Sequence, residues 1–254
     1  MSSVVEQTAD SEPAPAPAPE RRRPAAVLQG VALALGLVLM IGGFALIAVD
    51  YRPYDIPTAS MYPTLQIGDT VLARKVAGGA VGRGDVVVFR DQSWGGNELM
   101  VKRVVAVGGD TVATSGDNRR LTVNGQPVDE PYLAAQGGQG ESFSVTVPQG
   151  RLFLLGDNRV GSLDSRTHLE VDGGTVPADA VEARVEATLE PFGRTGLLDR
   201  TTAFDGFAGP GPSQPGPLEP AAYATVGGAA LILVTSAAGG VAGLARRLRR
   251  GSGS

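Results

Sequence analysis

The chain has 254 residues, and glycine (36) and proline (18) are frequent enough to argue against a helical bundle. It contains no cysteine and one histidine, which excludes disulfides, thiol nucleophiles and multi-histidine metal sites. A net charge of −4 is unlike that of nucleic-acid binding proteins, so no nucleic-acid partner is expected. Nothing in the sequence requires a metal or an organic cofactor.

The N-terminal part predicts a tail followed by a membrane span. Residues 1–24 carry four acids, a proline at every second position from Pro13 to Pro19, and then three arginines, which predicts a disordered tail with a basic end. Residues 25–49 contain no charge and are long enough to cross a bilayer. Because the apolar region of a cleaved secretory signal has only about 7–15 residues, we interpret this span as a retained anchor.

The middle of the chain predicts a mainly β domain over residues 50–195. Short runs rich in β-branched residues alternate with Gly-Asp pairs such as Gly84-Asp85 and Gly156-Asp157. Asn124-Gly125 is a strong hairpin signal between two such runs. The pattern indicates antiparallel strands joined by turns.

The C-terminal part predicts a return to the membrane. A Gly/Pro-rich linker is expected over residues 196–220, a second transmembrane helix over 221–245 and a basic tail over 246–254. Arginines flank both spans on their outer sides, which places both termini in the cytoplasm and the β domain on the extracytoplasmic side. We therefore expect a protein of the cell membrane that spans the lipid bilayer twice.

Ser60 is the first candidate for chemistry. It lies in a segment that Pro57 and Pro63 stiffen and keep out of a helix, shortly after the first span. A serine held in a rigid loop is a candidate nucleophile, but this feature alone favours an ordinary loop serine.

Lys102 is the second candidate, and one of only two lysines. On a strand, Met100, Lys102, Val104 and Ala106 share one side, which surrounds an ammonium with apolar neighbours. Burial of that kind lowers the pKa of a lysine and makes it a possible base. The alternative is a strand lysine whose tip reaches water.

A third segment, Gly156–Arg166, concentrates polar and charged residues at the end of the apolar run Leu152–Leu155. Together with Ile56–Leu65, Gly84–Phe89 and Val101–Val104, it resembles the four conserved boxes of the type I signal peptidases, in the order of that family. These are Ser–Lys proteases of the membrane surface with an antiparallel β fold. The resemblance spans about residues 52–190.

The resemblance implies a reaction and its central residues. Ser60 would be the nucleophile and Lys102 the general base, with an oxyanion hole formed by the backbone N–H of Ser60 and the hydroxyl of Thr58. The implied reaction removes signal peptides from secretory preproteins after Ala-X-Ala sites. The expected partners are these preproteins, the bilayer and the secretion translocon.

The resemblance also implies supporting residues. Ser162 would hydrogen-bond the lysine, Asp157 would pair with Arg103, and Asp164 with Arg166. In this chain Val160-Gly161 replaces the polar pair that is usual before Ser162. The residues expected to wall the small substrate pockets are Ile56, Met61, Leu65 and Val101.

Two alternatives remain open at the level of sequence. One is a Ser–His–Asp hydrolase that uses His168 with Asp164 or Asp172. The other is a membrane-anchored β domain without catalytic activity that binds a partner in the cell envelope.

Overall fold

The computed structural model describes residues 24–76, 80–115, 120–134 and 142–251. The tail predicted over residues 1–24 lies outside this part of the chain except for Pro24, and so do residues 252–254 of the basic tail. The chain divides into two compact units, one formed by Met1–Met40 with Val226–Ser254 and the other by Ile41–Thr225.

Two helices are long and apolar enough to cross a membrane: α1 (Pro24–Asp50) and α3 (Leu218–Gly251). In the first unit they meet at glycines, because a Cβ on Gly228 would lie 2.5 Å from the carbonyl oxygen of Gly36. The side-chain amide of Gln29 in α1 donates to the carbonyl of Thr235 in α3 at 3.4 Å. This contact gives the amide a protein partner within an apolar helix pair.

The second unit is built from antiparallel strands, which confirms the predicted fold class. The strands are β1 (Tyr51–Asp55), β2 (Thr70–Lys75), β3 (Val86–Phe89), β4 (Met100–Val107), β5 (Thr111–Ser115), β6 (Arg120–Val123), β7 (Gln126–Pro127), β8 (Ser144–Thr146), β9 (Arg151–Leu155), β10 (Thr175–Pro177), β11 (Val181–Glu190) and β12 (Gly196–Leu197). A short helix, α2 (Gln92–Gly95), precedes β4.

The strands form two sheets. The larger has the order β1-β2-β11-β3-β4-β9-β10, with β12 added to β11, and the smaller has the order β7-β6-β5-β8. The predicted Asn124-Gly125 turn joins β6 to β7, and both residues have positive φ (54° and 78°), as a tight hairpin requires.

The larger sheet has an apolar core on each face. Val86 and Val88 of β3 pack in one core with Met61, while Val87 and Phe89 pack in another. This is why β3 is an unbroken apolar run in the sequence. The first of these cores attaches the Ser60 loop to the sheet.

Strand β4 departs from the predicted alternation. Met100 and Val104 pack in one core, but Ala106 packs in a different one. The pairing of β4 with β9 shifts by one residue between Val104 and Ala106, and such a bulge moves the following side chains to the other face. Lys102 lies before the bulge, so Met100 and Val104 share its face as predicted, whereas the prediction for Ala106 is wrong.

The segment predicted as a linker is attached to the β domain along much of its length. Phe204 is completely buried in the core beneath the smaller sheet. Further along, Ser213 donates to the carboxylate of Asp85, and the backbone N–H of Gly216 donates to Glu186. These apolar and polar contacts explain why a stretch rich in glycine and proline is ordered here.

Candidate active site

Ser60 lies in a short 3₁₀ turn, Ala59–Met61, which begins four residues after the last residue of β1, Asp55. Its side chain is buried, and the neighbouring Met61 anchors the turn in the core that also holds Val88. The residue before the turn, Thr58, is extended (φ −128°, ψ 156°). The hydroxyl of Ser60 is therefore held at the floor of an open cleft rather than on a mobile loop.

Lys102 reaches this hydroxyl from β4. Its Nζ lies 3.0 Å from Oγ of Ser60 and 3.0 Å from the carbonyl oxygen of Val101. The lysine is 5% exposed, and it stands opposite the fully buried Val87 of β3. The sheet thus brings together a nucleophile and an amine that are 42 residues apart in the chain.

Burial sets the charge of the amine. Desolvation lowers the pKa of Lys102 from 10.5 to about 8, while the carboxylates of Asp164 and Asp157 oppose part of this shift. At pH 7 an ordinary lysine is neutral in only about one molecule in three thousand, but at a pKa near 8 the neutral fraction is about a tenth. A neutral amine can accept a proton, so the pair has the properties of a nucleophile and its base.

Thr58 completes the arrangement around the nucleophile. Its Oγ1 lies 3.3 Å from Oγ of Ser60, and its side chain faces the open cleft. A hydroxyl at this position can donate to an oxygen that develops negative charge next to Ser60.

Asp157 and Arg103 link the Gly156–Arg166 segment to β4. The two side chains form a buried bidentate ion pair. Nε of Arg103 donates to Oδ1 of Asp157 at 2.9 Å, and Nη2 donates to Oδ2 at 2.7 Å. Asp157 also accepts from the hydroxyl of Thr64 at 2.5 Å, so it joins the far end of the Ser60 loop to the same pair. These predicted partners are therefore in contact.

Asp164 and Arg166 close the segment on itself. Nε and Nη2 of Arg166 donate to Oδ1 and Oδ2 of Asp164 at 2.9 and 2.8 Å. Asp164 also accepts from the backbone N–H of Gly156 at 3.1 Å. Gly156 has to lack a side chain, since a Cβ there would lie 2.5 Å from the carbonyl oxygen of Ser60. The segment is thus folded tightly against the nucleophile.

Ser162 does not make its predicted contact. It is buried, but within the described part of the chain its Oγ has no hydrogen-bond partner. Lys102 directs its hydrogen bonds to Ser60 and Val101 instead. Ser162 packs over Gly156, where its Oγ would be 2.2 Å from an added Cβ.

A cleft of about 420 Å³ opens beside the two reactive side chains. Three of the four predicted wall residues line it: Ile56, Met61 and Val101. The fourth prediction, Leu65, is not supported, because this side chain is fully buried in the core with Val71 and is not part of the cleft wall. Leu65 follows Ser60 by more than a turn, and the chain carries it beneath the loop rather than beside the cleft.

His168 lies in a different environment from the one that a catalytic triad requires. Its Nδ1 is 2.9 Å from the backbone oxygen of Asp164, and its ring stacks on Trp94 at 4.4 Å. The carboxylate of Asp164 is engaged by Arg166, and that of Asp172 by Arg151. The described contacts do not assemble a Ser–His–Asp triad.

Several residues for which the sequence predicted no role also shape the site. Val88, Leu99, Met100 and Leu163 also line the cleft, and Asn158 hydrogen-bonds the Ser60 turn. Tyr132 lies under the guanidinium of Arg103 at 4.1 Å. Asn158 lies within the Gly156–Arg166 segment, which is the signal by which it could have been found, whereas Tyr132 lies outside the four boxes.

Comparison with known proteins places this site in a family. The sequence profile described as "Signal peptidase, peptidase S26" matches residues 27–189. A "Probable signal peptidase I" of Mycobacterium leprae is 32% identical over 81% of this chain and 90% of its own length. The "Signal peptidase I T" of Bacillus subtilis is 31% identical over 65% of this chain and 84% of its own length.

Among solved structures, a signal peptidase I from Enterococcus faecalis is 30% identical and covers 40% of this chain and 93% of its own, with a TM-score of 0.33. The match of the family profile covers more than half of the chain and includes all four boxes. The chain therefore belongs to the signal peptidase family, peptidase S26, and is a serine endopeptidase.

Proposed function

We propose that this protein removes signal peptides from secretory preproteins, with Ser60 as the nucleophile and Lys102 as the general base. The observation that carries the proposal is the 3.0 Å separation of Nζ and Oγ in a buried cleft, in a chain that belongs to a signal peptidase family. Family membership also removes the alternative of a β domain without catalytic activity.

The reaction proceeds through an acyl-enzyme. Neutral Lys102 accepts the proton of the Ser60 hydroxyl as Oγ attacks the scissile carbonyl, and the amine then returns the proton to the departing α-amino group of the mature protein. A water molecule activated by the same lysine releases the signal peptide. The N–H of Ser60 and the hydroxyl of Thr58 stabilise the oxyanion in both steps.

The substrate binds as an added strand along β4. Residues Met100–Arg103 of β4 pair with β3, but β4 pairs with β9 only from Arg103 onward. The first part of β4 thus has an edge without a strand partner in the described structure, and this edge borders the cleft. An extended peptide can pair there through its backbone.

The cleft favours small residues at the cleavage site. In an extended peptide the residues at −1 and −3 point to the same face. The wall on that side is apolar and close, and it is formed by Ile56, Met61, Val88 and Val101. Alanine is small enough for such pockets, and its side chain carries no polar group that would have to lose its hydration. This accounts for an Ala-X-Ala preference.

The two apolar helices hold the enzyme in the membrane. Their arginine-rich outer flanks favour cytoplasmic termini and an extracytoplasmic catalytic domain. A signal peptide leaves the translocon next to its own apolar segment, so an anchored protease meets the cleavage site close to the bilayer. The bilayer and the translocon are the partners that this arrangement implies.

Processing of a purified secretory precursor by the full chain in detergent tests the proposal, with the cut mapped by mass spectrometry. We expect cleavage after Ala-X-Ala. The Ser60→Ala and Lys102→Arg variants should each lose at least about 10³-fold in rate, because guanidinium cannot act as a base at any accessible pH.

Substrates that carry valine at −1 serve as the specificity control, and they should remain uncut. Full activity of Lys102→Arg would contradict the proposed mechanism. A cut at an unrelated site would contradict the proposed substrate.

A further inference from the structure

The peptide unit between Ala59 and Ser60 contains the donor on which the proposed oxyanion hole depends. A trans peptide is planar, so its C=O and N–H point in opposite directions, and the Ala59–Ser60 bond is trans. Whatever holds the carbonyl of Ala59 therefore also fixes the direction of the Ser60 N–H.

Two donors hold this carbonyl. The side-chain amide of Asn158 donates from Nδ2 to the oxygen of Ala59 at 3.1 Å, and the backbone N–H of Tyr62 donates to the same oxygen at 3.1 Å. The backbone N–H of Asn158 also donates to the carbonyl of Ser60 at 3.0 Å. One residue thus holds the carbonyls on both sides of the nucleophile.

Asn158 is itself well fixed. Its Oδ1 accepts from the backbone N–H of Gly161 at 3.2 Å, which leaves Nδ2 as the atom directed at Ala59. A Cβ on Gly161 would approach Nδ2 to 2.8 Å, so the glycine gives the amide its space. Its two neighbours in sequence are tied down by buried ion pairs, Asp157 with Arg103 and Arg159 with Glu130.

We propose that Asn158 is a positioning residue that holds the Ala59–Ser60 peptide with its N–H directed into the oxyanion hole. This inference rests on the proposed function of Ser60. Without the amide, the peptide loses one of its two anchors and can rotate away from the direction in which the oxyanion forms. The contact between Ser60 and Lys102 does not involve this amide and should persist.

The consequence is specific to the transition state. A misdirected N–H weakens binding of the oxyanion but leaves the ground-state contacts of the substrate along β4 intact. Loss of a complete oxyanion donor costs about 10²–10³-fold in kcat, and a displaced donor should cost less, at least about tenfold. The KM should change by less than about twofold.

The test compares Asn158→Ala and Asn158→Leu with the wild-type chain in detergent. Both variants keep the backbone N–H that binds Ser60, and a matching melting temperature shows that the loop is folded. The measurements are kcat, KM, the pH profile of kcat/KM, and the affinity of a peptide aldehyde, which forms an oxyanion when Ser60 adds to it. Val160→Ala, an exposed position in the same loop, is the matched control.

We expect both Asn158 variants to lose kcat and aldehyde affinity in parallel, with an unchanged KM and an unchanged pH profile. A shifted pH profile with normal aldehyde affinity would overturn the inference, because Asn158 would then act through the lysine. Wild-type kcat in both variants, alongside an inactive Ser60→Ala, would overturn this inference alone. An active Ser60→Ala would overturn the proposed function and this inference with it.

Discussion

At the scale of the residue, the proposed chemistry depends on the charge of Lys102. The change in its pKa from 10.5 to about 8 corresponds to about 3 kcal/mol by which burial disfavours the ammonium relative to the free amine. Two nearby carboxylates would restore the charge, but Asp157 and Asp164 each have an arginine partner. Desolvation therefore prevails, and the lysine becomes a usable base close to physiological pH.

The pH dependence of the reaction follows from this pKa. Only the neutral amine accepts a proton, so kcat/KM should rise with pH, with a midpoint near pH 8, and reach a plateau above about pH 9. Below pH 7 it should fall about tenfold for each pH unit. The measurement is the initial rate of precursor cleavage as a function of pH in a buffer series of constant ionic strength. A midpoint well below pH 8 would contradict Lys102 as the base.

His168 offers a direct comparison of the two possible bases. We expect His168→Phe to keep activity within about threefold of wild type, because the phenylalanine ring can still stack on Trp94 while both ring nitrogens are removed. Cleavage kinetics, with the fluorescence of the single tryptophan as a check on the stacking, provide the test. A loss as large as that of Ser60→Ala would favour a Ser–His–Asp mechanism.

At the scale of the element, β4 and the Gly156–Arg166 segment contact the Ser60 loop from different sides. Strand β4 supplies Lys102, and its edge before Arg103, which has no strand partner among the described residues, is where we propose that the substrate binds. The Gly156–Arg166 segment positions the Ser60 turn from the other side through Asp157 and Asn158. The Ser60 loop is thus held between a strand of the larger sheet and the segment that follows β9.

The C-terminal segment between β12 and α3 is a structural part of the β domain. Phe204 is fully buried, and truncation of a buried phenylalanine to alanine removes contacts and leaves a cavity. We expect Phe204→Ala to lower the free energy of unfolding by about 3–5 kcal/mol.

The matched control for this prediction is Phe192→Ala, because Phe192 is 94% exposed and should change stability by less than about 0.5 kcal/mol. Urea unfolding of both variants, followed in the same detergent, makes the comparison. Equal stability of the two variants would mean that the segment contributes nothing to the fold.

At the scale of the whole molecule, charge and hydropathy determine how the chain is inserted. α1 and α3 contain the two apolar stretches. Arginines 21–23 precede the first stretch, and the arginines of residues 246–250 follow the second. Positive charge is retained in the cytoplasm during insertion, so the proposed topology has both termini inside and the β domain outside. The β domain, with its net negative charge, has no such barrier to translocation.

The absence of native cysteine makes this topology simple to test. Three variants each introduce one thiol: Ser11→Cys, Ser144→Cys and Ser254→Cys. In intact cells a membrane-impermeant maleimide should label only Ser144→Cys, which lies at an exposed position of β8. All three should react once the membrane is permeabilised, and labelling of Ser11→Cys in intact cells would contradict the proposed orientation.

The sequence alone determined the class of fold, the two apolar helices and the residues proposed to react. These follow from local properties: uncharged stretches of about 20 residues, β-branched runs between turns, and short motifs in a fixed order. Lys102 could be singled out because strand alternation surrounds it with apolar side chains before any partner is known.

Only the tertiary structure decided which groups meet. The bulge in β4, the burial of Leu65 beneath the Ser60 loop and the packing of Phe204 all depend on contacts between residues distant in sequence. The same holds for the Ser162 hydroxyl, which has no hydrogen-bond partner in the described part of the chain. Local pattern cannot reveal them, because the same residue can face a cleft or a core depending on what packs against it. The contact of Asn158 with Ala59, 99 residues apart, is of the same kind.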